Sequence, residues 1–308
     1  MENPPTAFIV NPHAGNGSTG QAWPLLATYA RKRLGPYQTH LTRRAGEAVH
    51  SARSAVENGV SRLVCMGGDG TLNEVVNGVM AASSRPSDFV LGFVPNGTGC
   101  DLVRTLPIPR DVRRAVDLIA TGANRPLDLG RLRFRGHGGL VLDRYFHNIA
   151  SFGLGGEVDA RVNRTTKTFG PFLSFIWATL VSILRYGKKK IRVRTETGFD
   201  RTVRVWNVAV ANGQFHGGGM WVAPEARLDD GRFHVVVIGD LSLAGVFRNL
   251  HKLYNGKIGS IAQVTTVVAA RIEAESDEVV LVDVDGEQPG TLPLVAEIVP
   301  GALRIFSK

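Results

Sequence analysis

The sequence predicts an α/β domain with a Rossmann-like parallel sheet, followed by an antiparallel β-sandwich domain. Three observations carry that expectation. Over residues 6–122, short apolar runs alternate with segments whose apolar residues recur at helical spacing. Such alternation builds a parallel sheet with helices on both faces. Three of the runs end in polar, glycine-rich loops. From Leu127 onward the pattern changes to many short apolar stretches between turns, which reads as antiparallel sheet. The domain boundary is therefore expected at 126/127.

Thr6 to Val10 is the first strand, ended by Asn11-Pro12-His13-Ala14-Gly15-Asn16-Gly17, and Ser18 is placed to cap the next helix. Tyr37 to Thr42 reads as a strand, and Ala45 to Asn58 as a helix stopped by Gly59. Arg62 to Met66 is a third strand, running into Gly67-Gly68-Asp69-Gly70-Thr71-Leu72-Asn73-Glu74. Leu72, Val75, Val76, Val79 and Met80 then share one helical face, and Thr71 with Glu74 spells a capping box. Phe89 to Val94 is a fourth strand, closed by Pro95-Asn96-Gly97-Thr98-Gly99-Cys100-Asp101, and Asp111 to Ala120 is a helix ended by Thr121-Gly122. In open parallel sheets, ligands sit outside the carboxyl ends of the strands. Asn11, Asp69, Thr98 and Asp101 are thus expected around one crevice.

The central loop is suited to phosphate. Its glycines allow close backbone approach, and the helix behind it directs free N–H groups and a positive dipole end at the loop. Asp69 would repel a bare phosphate, so it implies either a metal ion or a hydroxyl proton to be accepted.

In the second half, strands are expected at Leu127 to Phe134 and Leu140 to Ile149, around the Gly136-His137-Gly138-Gly139 turn. Others are expected at Ile191 to Thr195, Thr202 to Ala211, Phe233 to Ile238, Ala262 to Ala270, Val279 to Val284 and Leu294 to Val299. Phe172 to Leu184 is one apolar run, with Phe169, Phe172, Phe175, Ile176 and Trp177 near its start. It is short for a bilayer span and fits a core helix, including one that lines a lipid-sized pocket. Tyr186 and Lys188-Lys189-Lys190 follow, an ending suited to a membrane interface. Asp229-Asp230-Gly231 is either a plain turn or a cation site. In Asp283-Val284-Asp285-Gly286-Glu287, strand alternation sends Asp283 and Asp285 to one face and the turn then presents Glu287. Such carboxylates can accept a proton and hold Mg²⁺.

Composition narrows the class. The 308 residues, 44% hydrophobic and 20% charged, describe an ordinary globular protein of about two domains. Two cysteines make no disulfide framework and fit a reducing, cytoplasmic setting. The first residues lack the basic and apolar regions of a secretory leader. A net charge of +9 favours anionic partners. It is spread over Arg31-Lys32-Arg33, Arg43-Arg44, Arg113-Arg114 and Lys188-Lys189-Lys190 with no nucleic-acid module signature. An anionic membrane surface, met transiently, is the sharper expectation, and nucleic acid is not expected as a partner.

In order and spacing, these stretches resemble the bacterial diacylglycerol-kinase-like lipid kinases, which share a catalytic domain with sphingosine and ceramide kinases. The resemblance rests on Asn11-Pro12 with Gly15, Gly67 to Glu74, Gly97-Thr98 with Asp101 and Arg104, Asp229-Asp230-Gly231, and Asp285-Gly286-Glu287. It implies an NAD-kinase-like nucleotide-binding domain and a β-sandwich domain with the active site between them. It also implies that 291–308 return to the first domain, leaving 127–290 as the second. It implies ATP contacts from Asn11, Pro12, His13, Ala14 and Gly15, from Thr42, from Gly68, Asp69, Gly70, Thr71, Leu72, Asn73 and Glu74, and from Thr98. Asp285 and Glu287 match the carboxylates implicated as the catalytic base, with the choice between them open. Asp69 and Asp101 would organise Mg²⁺ and water, and a structural Mg²⁺ is implied at Asp230 with the backbone carbonyls near Arg227 and Arg232. Ala14 stands where the family usually has serine, and Cys100 where it usually has asparagine. The activity so implied is ATP-dependent phosphorylation of a lipid hydroxyl. Its rivals are a soluble-substrate kinase of the NAD kinase type and a non-catalytic lipid- or nucleotide-binding regulator. Which lipid is used is open, as is the oligomeric state, a homodimer included.

Overall fold

The computed structural model describes residues 4–164, 179 and 181–308. Phe169 and most of the apolar run 172–184 lie outside the described residues. The chain divides into two compact units, Met1–Leu129 with Pro300–Lys308, and Gly130–Val299.

In the first unit, β1 (Thr6–Val10), β2 (Gln38–Leu41), β3 (Arg62–Gly67) and β4 (Val90–Pro95) form a parallel sheet ordered β2-β1-β3-β4. The C-terminal residues add a further parallel strand beside β4, with Arg304 opposite Val90 and Ile305 opposite Leu91. The helices are α1 (Ser18–Leu34), α2 (Glu47–Glu57), α3 (Asp69–Ala82), α4 (Leu102–Thr105) and α5 (Val112–Thr121). Phe8, Val10, Val64, Met66 and Val94 pack against Leu26 and Ala30 of α1 and Val116 and Ile119 of α5. The central strands are buried on both faces, which is why they read as unbroken apolar runs.

Two expected caps are made differently. Ser18 is the first residue of α1, and Gly17, at φ +88°, occupies the N-cap without a side-chain bond. The Thr71–Glu74 capping box does not form, because the N-cap of α3 lies three residues earlier, at Gly68. Glu74 instead accepts the N–H groups of Gly46 and Ala48 at the start of α2.

In the second unit the strands are the latter part of β5 (Asn124–Gly136), β6 (Val141–Phe146), β7 (Ile149–Gly153), β8 (Lys189–Thr195), β9 (Asp200–Val205), β10 (Asn207–Ala211), β11 (Phe215–His216), β12 (Met220–Trp221), β13 (Phe233–Ile238), β14 (Val264–Ala269), β15 (Arg271–Glu275), β16 (Leu281–Val284) and the first part of β17 (Glu287–Phe306). Helices α6 (Leu154–Arg164) and α7 (Leu243–Asn249) accompany them. One antiparallel series runs β14-β13-β10-β7-β16-β17. Strand β17 then pairs with β15, which leads to β8 and β9. The expected strand Thr202 to Ala211 is broken at Trp206, where the chain changes partners from β8 to β7 and β13. Phe152, Val208, Val210 and Val235 pack with Ile191, Val193, Ile272 and Leu294 in one apolar layer. The reverse face of β7, β10 and β13 packs Ile149, Ala209 and Val236 with Val222, Leu241 and Ile258 in a second. No helix among the described residues is long and apolar enough to cross a membrane.

Candidate active site

Three loops of the first unit meet at the carboxyl ends of β1, β3 and β4. Asn11 Nδ2 donates to Thr71 Oγ1 at 3.0 Å, and Asn11 Oδ1 accepts the His13 N–H at 3.0 Å. The Asn96 N–H donates to the Gly67 carbonyl at 2.8 Å, and Thr19 Oγ1 donates to the Asn96 carbonyl at 3.1 Å. A Cβ on Gly97 would lie 2.4 Å from Gly68 Cα, so only glycine lets the second and third loops cross. Gly15 takes φ +58°, and a Cβ there would lie 2.7 Å from the Asn96 carbonyl. Asp69 Oδ2 accepts the Asp101 N–H at 2.8 Å, which joins the two loop aspartates. Asp101 is buried and takes Arg104 Nε at 3.2 Å.

The other implied nucleotide contacts divide into two sets. Pro12, Ala14 and Gly15 form a tight turn in which the Ala14 N–H donates to the Asn11 carbonyl and the Gly20 N–H to the Pro12 carbonyl. His13 and Thr98 are exposed at their loop tips. Gly70 and Thr71 lie in the first turn of α3, where backbone N–H groups have no intrahelical partner. Leu72 and Asn73 are buried, and both oxygens of Glu74 bind the start of α2. Thr42 is buried, with its N–H on the Val10 carbonyl.

Cys100, the residue before Asp101, lies in the left-handed region at φ +49°. Asparagine tolerates that conformation and β-branched residues do not. Its Sγ accepts the Gly97 N–H at 3.3 Å. Burial, then the Asp69 carboxylate, pushes the thiol pKa up to about 12, and burial holds Cys65 well above its usual range. A raised folded-state pKa keeps the proton on where an unfolded thiol ionises. The Cys100 contribution to stability is therefore complete below pH 9 and is lost as pH rises towards about 12. Native protein is expected to react with iodoacetamide roughly a thousandfold more slowly than the denatured chain at mildly alkaline pH. Mass-resolved alkylation with and without urea checks this, and equal rates would refute it.

In the second unit, the Asp285 side chain is fully enclosed. Its oxygens accept the N–H groups of His147, Asn148 and Ile149 at 3.0, 3.1 and 3.0 Å, and His147 Nδ1 lies 2.8 Å away. Its φ of +49° turns it out of strand alternation, and it does not share the partners of Asp283. Asp283, also buried, accepts from Ser151 Oγ at 3.1 Å and from the Gly286 N–H at 2.9 Å, and His216 Nε2 lies 3.3 Å from it. Glu287 is different. Its side chain is 43% exposed, and Arg144 Nη2 donates to its Oε2 at 2.6 Å. Of the paired acids expected from sequence, only Glu287 is open to a ligand.

An apolar cavity of about 330 Å³ opens in this unit. Val158, Ile183, Trp206, Val222, Val246 and Leu253 are among its walls, and His216 and Asn207 give it polar groups. His216 thus links the cavity to Asp283, which in turn holds Gly286 between Asp285 and Glu287. Sequence reasoning missed His216 and Arg144, since an isolated loop histidine or strand arginine carries no periodic or motif signal.

The metal expectations rest on sparse donors. Among the described residues, no group of three or more His, Cys, Asp or Glu side chains could hold a metal ion. Mg²⁺ bound with nucleotide phosphates and water needs only one or two carboxylates, which fits Asp69 beside Asp101. At the other implied site, Asp230 Oδ1 accepts the Arg232 N–H at 3.1 Å, and the cationic guanidinium groups of Arg227 and Arg232 have no lone pair to offer a metal, which leaves only their backbone carbonyls as ligands. The Lys188-Lys189-Lys190 run is largely neutralised: Lys188 pairs with Asp240 and Lys189 with Glu278. The Lys190 N–H and the Lys189 ammonium hold Glu278 below its ordinary carboxylate pKa.

The chain thus combines a parallel sheet with glycine loops at its carboxyl edge and a sandwich carrying a carboxylate turn. A model of the diacylglycerol kinase catalytic domain matches residues 5–132, and one of the YegS C-terminal NAD kinase beta sandwich-like domain matches 148–307. The chain is 30% identical over 257 residues to the diacylglycerol kinase of Bacillus subtilis, covering 83% of this chain and 80% of that one. A crystal structure from Bacillus anthracis, provisionally described as a diacylglycerol kinase, aligns over 100% of this chain and 97% of its own with a TM-score of 0.81 and 24% identity. Yeast NADH kinase shares the fold at a TM-score of 0.52 and 11% identity, covering 100% of this chain and 84% of that one. The chain belongs to the bacterial diacylglycerol-kinase-like lipid kinase family.

Proposed function

We propose that this protein transfers the γ-phosphate of ATP to the hydroxyl of a membrane lipid. The observation that carries this reading is the apolar cavity joined through His216 and Asp283 to the Gly286 turn. Its volume is within the ~300–1,000 Å³ of small-molecule sites. An aliphatic chain suits its walls, and a nicotinamide dinucleotide does not.

Phosphoryl transfer depends on positioning and charge neutralisation more than on covalent chemistry. The glycine loops and the first turn of α3 would receive the nucleotide phosphates. When bound, Mg²⁺ neutralises phosphate charge, and Asp69 with Asp101 would hold it. Asp230, with the carbonyls of Arg227 and Arg232, would hold a second, structural ion. Glu287 accepts the acceptor hydroxyl proton, since its side chain is partly exposed and only Oε2 is engaged by Arg144. Asp285 is a positioning residue that ties the His147–Ile149 backbone beneath that turn. The lipid is reached from an anionic membrane surface, in transient contact.

The test is phosphate transfer from labelled ATP to a panel of diacylglycerol, ceramide, sphingoid base and phosphatidylglycerol, with NAD as a lipid-free arm. A labelled lipid product is expected. Labelling of NAD alone would make the protein a soluble-substrate kinase, and tight ATP binding without transfer to any lipid would make it a regulator.

A further inference from the structure

Beyond Arg144, which pairs with Glu287, the β5–β6 hairpin has no role in that chemistry, yet it exposes the largest consecutive apolar stretch among the described residues. Leu140, Val141 and Leu142 are 73%, 67% and 42% exposed. Among the described residues strand β6 pairs only with β5, and the register places Phe134 opposite Leu142, Arg135 opposite Val141 and Arg133 opposite Asp143. Leu142 therefore lies on the face of Leu132 and Phe134, and Val141 on the opposite face. The tip exposes an aliphatic side chain on each face, Val141 on one and Leu142 on the other, which suits insertion into an apolar medium. Behind the tip, on the face of Val141, Arg131, Arg133 and Arg135 form a row with Asp143 as the one carboxylate among them. That excess of guanidinium groups complements anionic headgroups.

We propose that the β5–β6 hairpin is a bilayer-docking finger, with Leu140 to Leu142 inserting between lipids and the arginine row on anionic headgroups. The same strand brings Arg144 to Glu287, and His137 Nε2 lies 3.3 Å from the Gln288 carbonyl. Leu140 to Arg144 is four residues, about 13 Å along a strand. An inserted tip would thus leave Glu287 near the headgroup layer, where a lipid hydroxyl is found. This link to catalysis rests on the lipid kinase reading, whereas docking itself does not.

The test is sedimentation of the full chain with vesicles of phosphatidylcholine alone and of phosphatidylcholine mixed with phosphatidylglycerol. Wild-type protein is expected to favour the mixed vesicles. Leu140→Ser with Val141→Ser should weaken binding to both by roughly a hundredfold, as two aliphatic side chains each worth at least a factor of ten are lost. Arg135→Glu should weaken binding to the mixed vesicles alone, by roughly tenfold. Val141→Trp supplies a second readout, a blue-shifted indole emission on adding mixed vesicles. The serine variant should phosphorylate a dispersed short-chain lipid at the wild-type rate. Undiminished pelleting of the serine variant, or no emission shift, overturns the proposal. So does a loss of dimer mass in the serine variant with vesicle binding intact, which would assign the tip to a second copy of the chain. If wild-type protein phosphorylates no lipid but the vesicle results hold, docking stands and the kinase reading fails.

Discussion

Replacing Asp285 with alanine is expected to destabilise the second unit by about 3–5 kcal/mol, the cost of removing one partner from a buried charged network. Three backbone N–H groups would lose their acceptor inside the protein, and an unsatisfied buried donor costs roughly 1–3 kcal/mol. The buried His147 would lose its carboxylate as well. Alanine also suits φ +49° poorly. Asparagine accepts that backbone, but it replaces one carboxylate oxygen with an N–H donor facing other donors, so Asp285→Asn should show a smaller loss in the same direction. Urea unfolding measures both. An unchanged midpoint in Asp285→Ala, together with lost turnover, would transfer Asp285 from a positioning role to the chemistry.

Glu287→Gln should give the opposite pattern. Turnover is expected to fall by roughly 10²–10⁴, the usual contribution of a general base. Stability should change little, because a partly exposed ion pair such as that with Arg144 is worth about 0–1 kcal/mol. Labelled-phosphate transfer to lipid in mixed micelles reads the first effect, and urea unfolding the second. Activity within a few-fold of wild type would remove Glu287 from the base position.

These two carboxylates show where the sequence is readable and where it is not. Strands β1, β3 and β4 were legible because burial on both faces demands unbroken apolar runs, and the glycine loops mark their ends. The position of the Asp285-Gly286-Glu287 turn was legible for the same reason. The division of labour within it was not, because the donors that occupy Asp285 lie 136–138 residues earlier in the chain. Glu74 is a similar case: it satisfies the local pattern of a capping box, but its partners start a different helix. Strand β15 escaped notice since Arg271, Glu273 and Glu275 alternate with only two buried residues, a pattern equally at home in a solvated loop. The hairpin tip read as a plain strand, because sequence shows apolarity but not whether anything covers it.

Strand β17 has a consequence for how the protein is made. It runs unbroken from Glu287 to Phe306, and its last residues complete the parallel sheet beside β4. Synthesis proceeds from the N-terminus, so the first unit emerges from the ribosome without its outer strand and with the β4 edge bare. The first unit therefore finishes folding only once Arg304 and Ile305 have been translated, and a chain ended before them leaves it open to pairing with other nascent chains.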